Sequence, residues 1–482
     1  MKLNEKNTLI YIIIAAIILA SSVLVLRQLF HNGLIAGQMP YYNMNSAKMI
    51  IGGELAIKDS GYLFSPYHIF LAFAGKYMNM ELASKMISLI LGILSVIIFY
   101  FILKESNVKL DERFCMVIVL VFSPAFIYLS SFPNKLSIPV FLTLLGTYLL
   151  SKKNILLSII CFFSFAFAIT FGIFNSVLVI SIVIAYITDE AIKLKKLKSK
   201  KIPSSLSKAA VFLLLFFIIS LTCFSLYLKP KTSLLQKEII FTQIISDLGS
   251  LNGLGIFSLI LGLVGFSMLW KKRKELSLLF LPLLITILFI FYENNIVVYL
   301  SFLISVFAGK AFFEIIKMEW EIKSVKNLTI ILIVCGVLFS TISYINRVSR
   351  ATPNEEITES LDWLKHYSMQ DEIVFSHYSR GFWIKYFTDK HVIINQNFEY
   401  LPDAEKRFND SNEIFYSRNL ETTKELLREY SINYIWIDNE MKEGLVWQEK
   451  DEGLLFLFRN SETFKNIYNN QGVEIWEVKG VN

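Results

Sequence analysis

The sequence predicts a polytopic α-helical membrane protein, with about 11 transmembrane helices and a C-terminal extracytoplasmic α/β domain. Three observations predict the membrane part and the separate domain. The first is composition: of 482 residues, 54% are apolar and 18% charged, with a mean hydropathy of +0.53. Soluble domains average roughly 45–50% apolar and about 25% charged. With 41 Phe and long Ile/Leu runs, the chain has more apolar surface than one water-facing core can hide. Disorder, a coiled coil and a secreted disulfide scaffold are excluded. The second observation is a recurrence of long apolar runs. The third is a charge split: residues 351–482 carry 14 Lys+Arg against 24 Asp+Glu, and residues 1–350 carry 33 against 16.

A membrane-spanning helix needs about 20 mostly apolar residues to cross roughly 30 Å of hydrocarbon. Eleven runs meet or approach this length, at 8–29, 82–103, 114–132, 136–150, 155–170, 174–188, 209–228, 254–270, 276–292, 296–313 and 328–345. The first is too long for a cleaved signal, and no small-residue cleavage site follows it. Alternate loops are basic. Lys2 and Lys6, Lys104, Lys109 and Arg113, Lys152 and Lys153, the 193–208 cluster, 271–274, and 310–326 hold 22 of the 33 basic residues. The positive-inside rule then puts the N-terminus in the cytoplasm of an integral cell-membrane protein, and an odd number of crossings puts the C-terminal domain outside.

Two outer segments are long enough to contribute function: 30–81, after the first span, and 229–251, whose amphipathic spacing suits the outer interface. The lysine-rich stretch 193–201 suits anionic inner-leaflet lipid, not nucleic acid. From Thr352 the pattern becomes that of a soluble domain, so the expected domains are 1–345 and 346–482. Thr352-Pro353 with Glu355-Glu356 opens a helix reaching His366. Strand and helix signals then alternate through EIVFSHY, GFWIKYF, HVIINQ, LPDAEKRF, EIFYS, LETTKELLREY and INYIWID, with VEIWEV late. That alternation predicts a parallel α/β sheet. No glycine-rich phosphate loop follows any of these strands.

Most soluble-enzyme chemistry is missing. The chain has no G-x-S-x-G, H-E-x-x-H or C-x-x-C, and its five histidines are scattered. Cys115, Cys161, Cys223 and Cys335 all fall in apolar runs, where a thiol packs as a small hydrophobe. The spans carry almost no mid-membrane charge, which argues against an ion-coupled transporter. A basic-inside helical part with a long first outer loop and an outer α/β domain points to work on a membrane-delivered substrate at the outer face.

Four stretches carry a resemblance. Met39-Pro40-Tyr41-Tyr42-Asn43-Met44-Asn45 follows the first span, with Ala47-Lys48-Met49-Ile50 and Pro66-Tyr67-His68 after it. Ser131-Phe132-Pro133-Asn134-Lys135 opens a later helix. Ser246-Asp247-Leu248-Gly249 precedes a late span. Ser360-Leu361-Asp362-Trp363-Leu364 leads to Ser376-His377-Tyr378-Ser379-Arg380-Gly381-Phe382-Trp383-Ile384. In these the chain resembles the GT-C superfamily of polyprenyl-linked-sugar glycosyltransferases, specifically the catalytic subunit of archaeal-type oligosaccharyltransferase. The resemblance implies a fold, a polyprenyl-linked donor and a divalent cation held by carboxylates, since Mg²⁺ and Mn²⁺ take hard oxygen ligands. The motif residues depart from it. Met39 stands where the first acid belongs, Pro133 and Lys135 where the second pair belongs, and Asn45 where an Arg belongs. His377-Tyr378-Ser379-Arg380-Gly381 replaces the tryptophan-rich WWDYG, and Glu293-Asn294-Asn295 lacks the lipid-facing base.

The candidate residues each have a plain alternative. Tyr41, Tyr42 and Asn43 are either sugar-contacting or interfacial, and His377 and Arg380 are either ligand-facing or surface groups. Glu54 and Asp59 are the nearest first-loop acids that could replace Met39, or else solvated loop carboxylates. Asp247 is a catalytic candidate or a helix cap. No metal ligands are assigned and no cofactor is expected, Mn²⁺ or Mg²⁺ entering only if the chain is an active transferase. The partners expected are the lipid bilayer, a polyprenyl-linked glycan and a membrane-protein partner, with no nucleic acid. Three functions fit: a glycosyltransferase-like protein with lost or altered metal-dependent catalysis, a non-catalytic glycolipid- or partner-binding scaffold, and an ion-independent lipid or glycan flippase.

Overall fold

The computed structural model describes residues 4–53, 65–152, 154–196, 204–227, 241–273, 276–369, 371–401 and 403–479. Two compact units divide the chain. One holds Met1–Arg27, Ser84–Lys229 and Glu238–Arg350; the other joins Gln28–Ala83 to Ala351–Asn482.

The first unit is helical. Five of its helices are long and apolar enough to cross a membrane: α1 (Glu5–Phe30), α4 (Met80–Glu105), α9 (Ile173–Lys196), α13 (Val297–Lys317) and α14 (Lys323–Ser349). A sixth span is broken into α5 (Leu110–Val121) and α6 (Pro124–Ser131), which meet at 64°. The break has a local cause: Pro124 cannot continue the hydrogen-bond ladder, and the Ser123 hydroxyl accepts from the Phe126 N–H at 3.1 Å to start a new helix. Shorter apolar stretches supply the remaining runs: α7 (Ser137–Leu150), α8 (Ile155–Ile169), Lys208–Thr222 within α10 (Ser204–Tyr227), α11 (Ile256–Leu269) and α12 (Ser277–Ile290). Each apolar run read from the sequence is therefore a helix or this bent pair. This is an integral membrane protein, as the number of apolar helices shows.

Small residues let these helices approach closely, the usual device where lipid offers no hydrophobic drive. A Cβ on Gly265 of α11 would lie 1.9 Å from the Phe307 carbonyl of α13, and one on Gly309 would lie 2.3 Å from the Met116 Cα of α5.

The second unit contains two helices of the first loop, α2 (Met39–Ile51) and α3 (Pro66–Gly75), with the C-terminal region. That region comprises helices α15 (Glu355–Tyr367), α16 (Gly381–Thr388), α17 (Ala404–Tyr416), α18 (Leu420–Glu429) and α19 (Leu454–Leu457). Its strands are β1 (Ile373–Phe375), β2 (His391–Val392), β3 (Ile432–Asp438), β4 (Phe464–Asn469) and β5 (Val473–Val478), in sheet order β2-β1-β3-β5-β4. The first three pair in parallel, but β5 runs antiparallel to both β3 and β4. The sheet is thus mixed where a parallel one was expected, because a tight turn at 470–472 folds β4 and β5 into a hairpin. Residues 413–417, at a strand position in the sequence pattern, complete α17 instead. Ser411, Ile414 and Phe415 are buried at helical spacing there.

The sheet's core gathers Phe375, Ile435, Ile437, Leu427 and Trp447, whose indole N–H donates to the Phe415 carbonyl at 2.9 Å. The first loop belongs with this unit through backbone bonds that no residue pattern announces. The Gly37 N–H donates to the Thr352 carbonyl at 2.8 Å, and its carbonyl accepts from the Trp383 indole at 3.0 Å.

Candidate functional site

Within the second unit, the first and last motif stretches come together as α2 packs on α16. Pro40 suits the first turn of α2, where no intrahelical N–H bond is lost. Tyr41 and Tyr42 are buried. The Tyr41 hydroxyl accepts from the Ile35 N–H at 3.2 Å, and its ring lies 5.1 Å from both Tyr386 and Phe387. The Tyr42 ring sits 4.9 Å from Phe382 and 5.3 Å, edge-on, from His68. His68 Nδ1 accepts from the Ser65 N–H at 3.2 Å, which leaves Nε2 to carry the proton and donate to Asn43 Oδ1 at 3.0 Å. These three candidates therefore lie in a packed aromatic seam that also includes His68.

His377 and Arg380 stand just past β1, beside the end of β3. Burial, aided by the Arg380 charge, lowers the His377 pKa to about 4, so its ring is neutral at pH 7. Its Nδ1 lies 2.7 Å from the Ser379 hydroxyl. Arg380 is buried, and its Nε meets Asp438 at 2.7 Å while Nη2 contacts Glu440. Burial raises the Asp438 pKa against the pull of Arg380, and the other Asp438 oxygen accepts from the Met441 N–H at 2.9 Å. The Arg380 guanidinium also lies 5.1 Å over the Trp383 ring. The sequence reading missed Asp438 and Glu440; an arginine five residues past the end of the buried strand β1 was the available sign that a carboxylate partner exists.

In the helical unit the motif positions serve the backbone. Asn134 Oδ1 accepts from the Leu136 and Ser137 N–H groups at 2.9 and 3.1 Å, while Nδ2 donates to the Phe132 carbonyl at 2.7 Å. Lys135 is exposed. Asp247 Oδ2 accepts from the Ile256 N–H at 2.7 Å, capping α11, and from the Ser340 hydroxyl at 3.0 Å. Arg347 donates to the Ser246 and Ser250 carbonyls at 2.7 and 2.5 Å, and the Tyr344 hydroxyl to the Leu251 carbonyl at 2.6 Å. Residues 246–251 are thereby strapped to α14. Glu54 and Asp59 lie outside the described residues, as does most of 229–251.

No protein-family model matches the chain, and a comparison with curated proteins returns no match. Solved structures do match. The apo oligosaccharyltransferase of Archaeoglobus fulgidus aligns with 98% of this chain and 74% of its own, at TM-score 0.61 and 12% identity. The oligosaccharyltransferase AglB from the same archaeon, in complex with an inhibitory peptide and a dolichol-phosphate, gives TM-score 0.59 at 13% identity, over 98% of this chain and 74% of its own. ArnT from Cupriavidus metallidurans bound to undecaprenyl phosphate aligns over 98% of both chains, at TM-score 0.56 and 9% identity. The fold is that of the GT-C membrane glycosyltransferases. The resemblance first carried by four short stretches thus extends over nearly the whole chain.

A divalent cation is what that fold family leads one to test. Among the described residues, no three His, Cys, Asp or Glu side chains converge as a metal site. At the motif positions stand a thioether, a proline, an exposed ammonium and an amide; Asp247 adds a single carboxylate, whose Oδ2 accepts two bonds while Oδ1 is buried without a hydrogen bond. Among the described residues this donor set does not fit Mg²⁺ or Mn²⁺, which take several hard oxygen ligands.

Proposed function

We propose that this chain is a GT-C-type membrane protein that takes a polyprenyl-phosphate-linked sugar at the extracytoplasmic face, with metal-dependent transfer lost or altered. The fold supports the lipid-linked substrate, and the solved relatives with bound dolichol-phosphate and undecaprenyl phosphate suggest its class. The alternation of basic loops supports a cytoplasmic N-terminus. The observation that carries the altered chemistry is the donor set: residues at the motif positions cap helices and pack rings where the family's mechanism needs oxygen anions. Without those anions no cation can offset charge on a departing phosphate. Complete loss would leave a non-catalytic glycolipid- or partner-binding scaffold. That reading is favoured by the ion pairing of Arg380, which occupies the guanidinium with Asp438 and Glu440.

The test uses the full chain in detergent. Native mass spectrometry should detect bound undecaprenyl phosphate or dolichol phosphate. Turnover of a polyprenyl-linked donor with an acceptor peptide should show no Mn²⁺-dependent component. Turnover that EDTA abolishes overturns the loss of metal chemistry, and absence of lipid binding overturns the substrate class. Should turnover occur, Glu54→Gln, Asp59→Asn and Asp247→Asn identify the base by which variant loses the rate.

A further inference from the structure

Two amide side chains, Gln38 at the N-cap of α2 and Asn45 within it, have buried atoms without hydrogen-bond partners. Gln38 is 7% exposed, and neither its Oε1 nor its Nε2 makes a bond; Asn45 is 5% exposed, and its Nδ2 makes none. Burying an amide without a partner forfeits its hydration with no return, so such groups are rare in native interiors. Two of them in one helix call for an explanation. Gln38 already has helical backbone angles, φ −91° and ψ −37°. Seven residues separate it from Asn45, so the two lie two turns apart on one face of the helix. Tyr41 and Tyr42 flank that face, and their rings pack against Tyr386 and Phe382 of α16.

The chemistry of the pair narrows what it suits. The orphan atoms are one acceptor, Gln38 Oε1, and two donor groups, Gln38 Nε2 and Asn45 Nδ2. They carry no net charge. A phosphate or carboxylate would meet the lone pairs of Oε1 and find no cation among these groups. A metal ion would find a single neutral oxygen. A hydroxyl both donates and accepts, so a ring bearing several of them can satisfy all three groups. The surrounding rings keep water away, which strengthens each bond formed there. The first turn of α2 offers a way in, since Met39 beside Gln38 is 40% exposed.

We infer that Gln38 and Asn45 form a metal-independent binding site for the hydroxyl groups of a neutral sugar ring. The inference rests on the proposed function and deepens it: amide hydrogen bonds hold the sugar in the stretch where the family places a cation ligand.

The experiment compares two probes on the full chain in detergent with EDTA present: undecaprenyl phosphate, and the same lipid phosphate carrying a neutral hexose. The sugar-bearing lipid should bind about five-fold tighter or more, the scale of one or two net hydrogen bonds. Gln38→Met and Asn45→Leu should each remove most of that preference while leaving affinity for the bare lipid within about two-fold. Gln38→Asn, which keeps an amide on a shorter arm, should retain part of it. Equal affinity of the wild type for both lipids overturns this inference and leaves the lipid reading standing; binding of neither overturns both. A preference that survives Gln38→Met and Asn45→Leu places the sugar elsewhere and also overturns it. Ligand-free melting gives an independent check. An amide with no partner contributes nothing to the empty protein, so Gln38→Met and Asn45→Leu should melt at or above the wild type. A fall of more than about 5 °C in both, or failure of both to fold, means that the amides are bonded internally, and the inference fails.

Discussion

The α2–α16 seam and the strap at 246–251 both stand at motif positions, yet they treat polar side chains in opposite ways. In the strap each polar side chain named makes at least one structural bond: Asp247 Oδ2 caps α11, while Arg347 and Tyr344 hold backbone carbonyls, although Asp247 Oδ1 and Arg347 Nε are buried without hydrogen bonds. In the seam Asn43 is paired to His68, but Gln38 and Asn45 of the same helix are not. Beside it, Arg380 is bound between two carboxylates. The difference teaches that the charged side chains of the strap each brace the fold through at least one bond, whereas the Gln38 amide makes none.

The largest expected effect breaks or sustains that view of Arg380. Arg380→Ala leaves Asp438 charged, buried and without its partner, a change that typically costs about 3–5 kcal/mol. Denaturant unfolding of the full chain in detergent should show a loss of that size. A variant that unfolds like wild type but loses ligand affinity would instead make Arg380 a binding group.

His377 offers a pH test of the same neighbourhood. Its folded pKa, about 4, lies below the ordinary 6.5, so between those values the unfolded state binds more protons. Stability from this group is therefore fully present above pH 6.5 and is lost as pH falls toward 4. The loss amounts to about 3 kcal/mol at most, since each pKa unit corresponds to about 1.4 kcal/mol. His377→Gln should flatten the stability profile across that window relative to wild type, the carboxylates common to both cancelling in the difference. Parallel profiles would mean that the ring is solvated.

Much of this fold was legible because apolar run length and period are local properties. All eleven runs became helices, and the change of character near Thr352 marks where the mixed α/β region begins. The association of the first loop with the sheet was not legible. It depends on bonds such as Trp383 to Gly37, between residues 346 apart in sequence, for which hydrophobic period carries no sign. Strand direction failed for a related reason. An apolar strand such as INYIWID reads alike whether its neighbour runs parallel or antiparallel, and only the hairpin joining β4 to β5 decides. In the candidate site, the motif stretches could be found by spacing and residue type. The pairing of Arg380 with Asp438, 58 residues on, could not.

A smaller effect tests the strap. Asp247→Ala removes the α11 cap and the bond from Ser340, together about 1–2 kcal/mol of stability. Asp247→Asn keeps an acceptor oxygen for both donors and should lose less than half as much. Equal losses in the two variants would show that the charge, not the acceptor geometry, matters there.

The smallest prediction returns to the seam and asks whether the Lys48 charge contributes to packing. Lys48 places its ammonium 4.0 Å from the centre of the Tyr386 ring, and the Tyr386 hydroxyl in turn donates to Glu81 at 3.3 Å. Lys48 is an exposed residue, so the attraction of its charge for the ring is worth about 0.5–1 kcal/mol. Lys48→Met keeps the aliphatic stem over the ring and removes only the charge, so the melting temperature should fall by about 2–4 °C or less. A fall several times larger would mean that the charge is a structural element of the seam. The contrast would then shift, because neutral Gln38 and Asn45 would lie beside a cation the fold requires, and an anionic ligand would suit that face better than a neutral sugar.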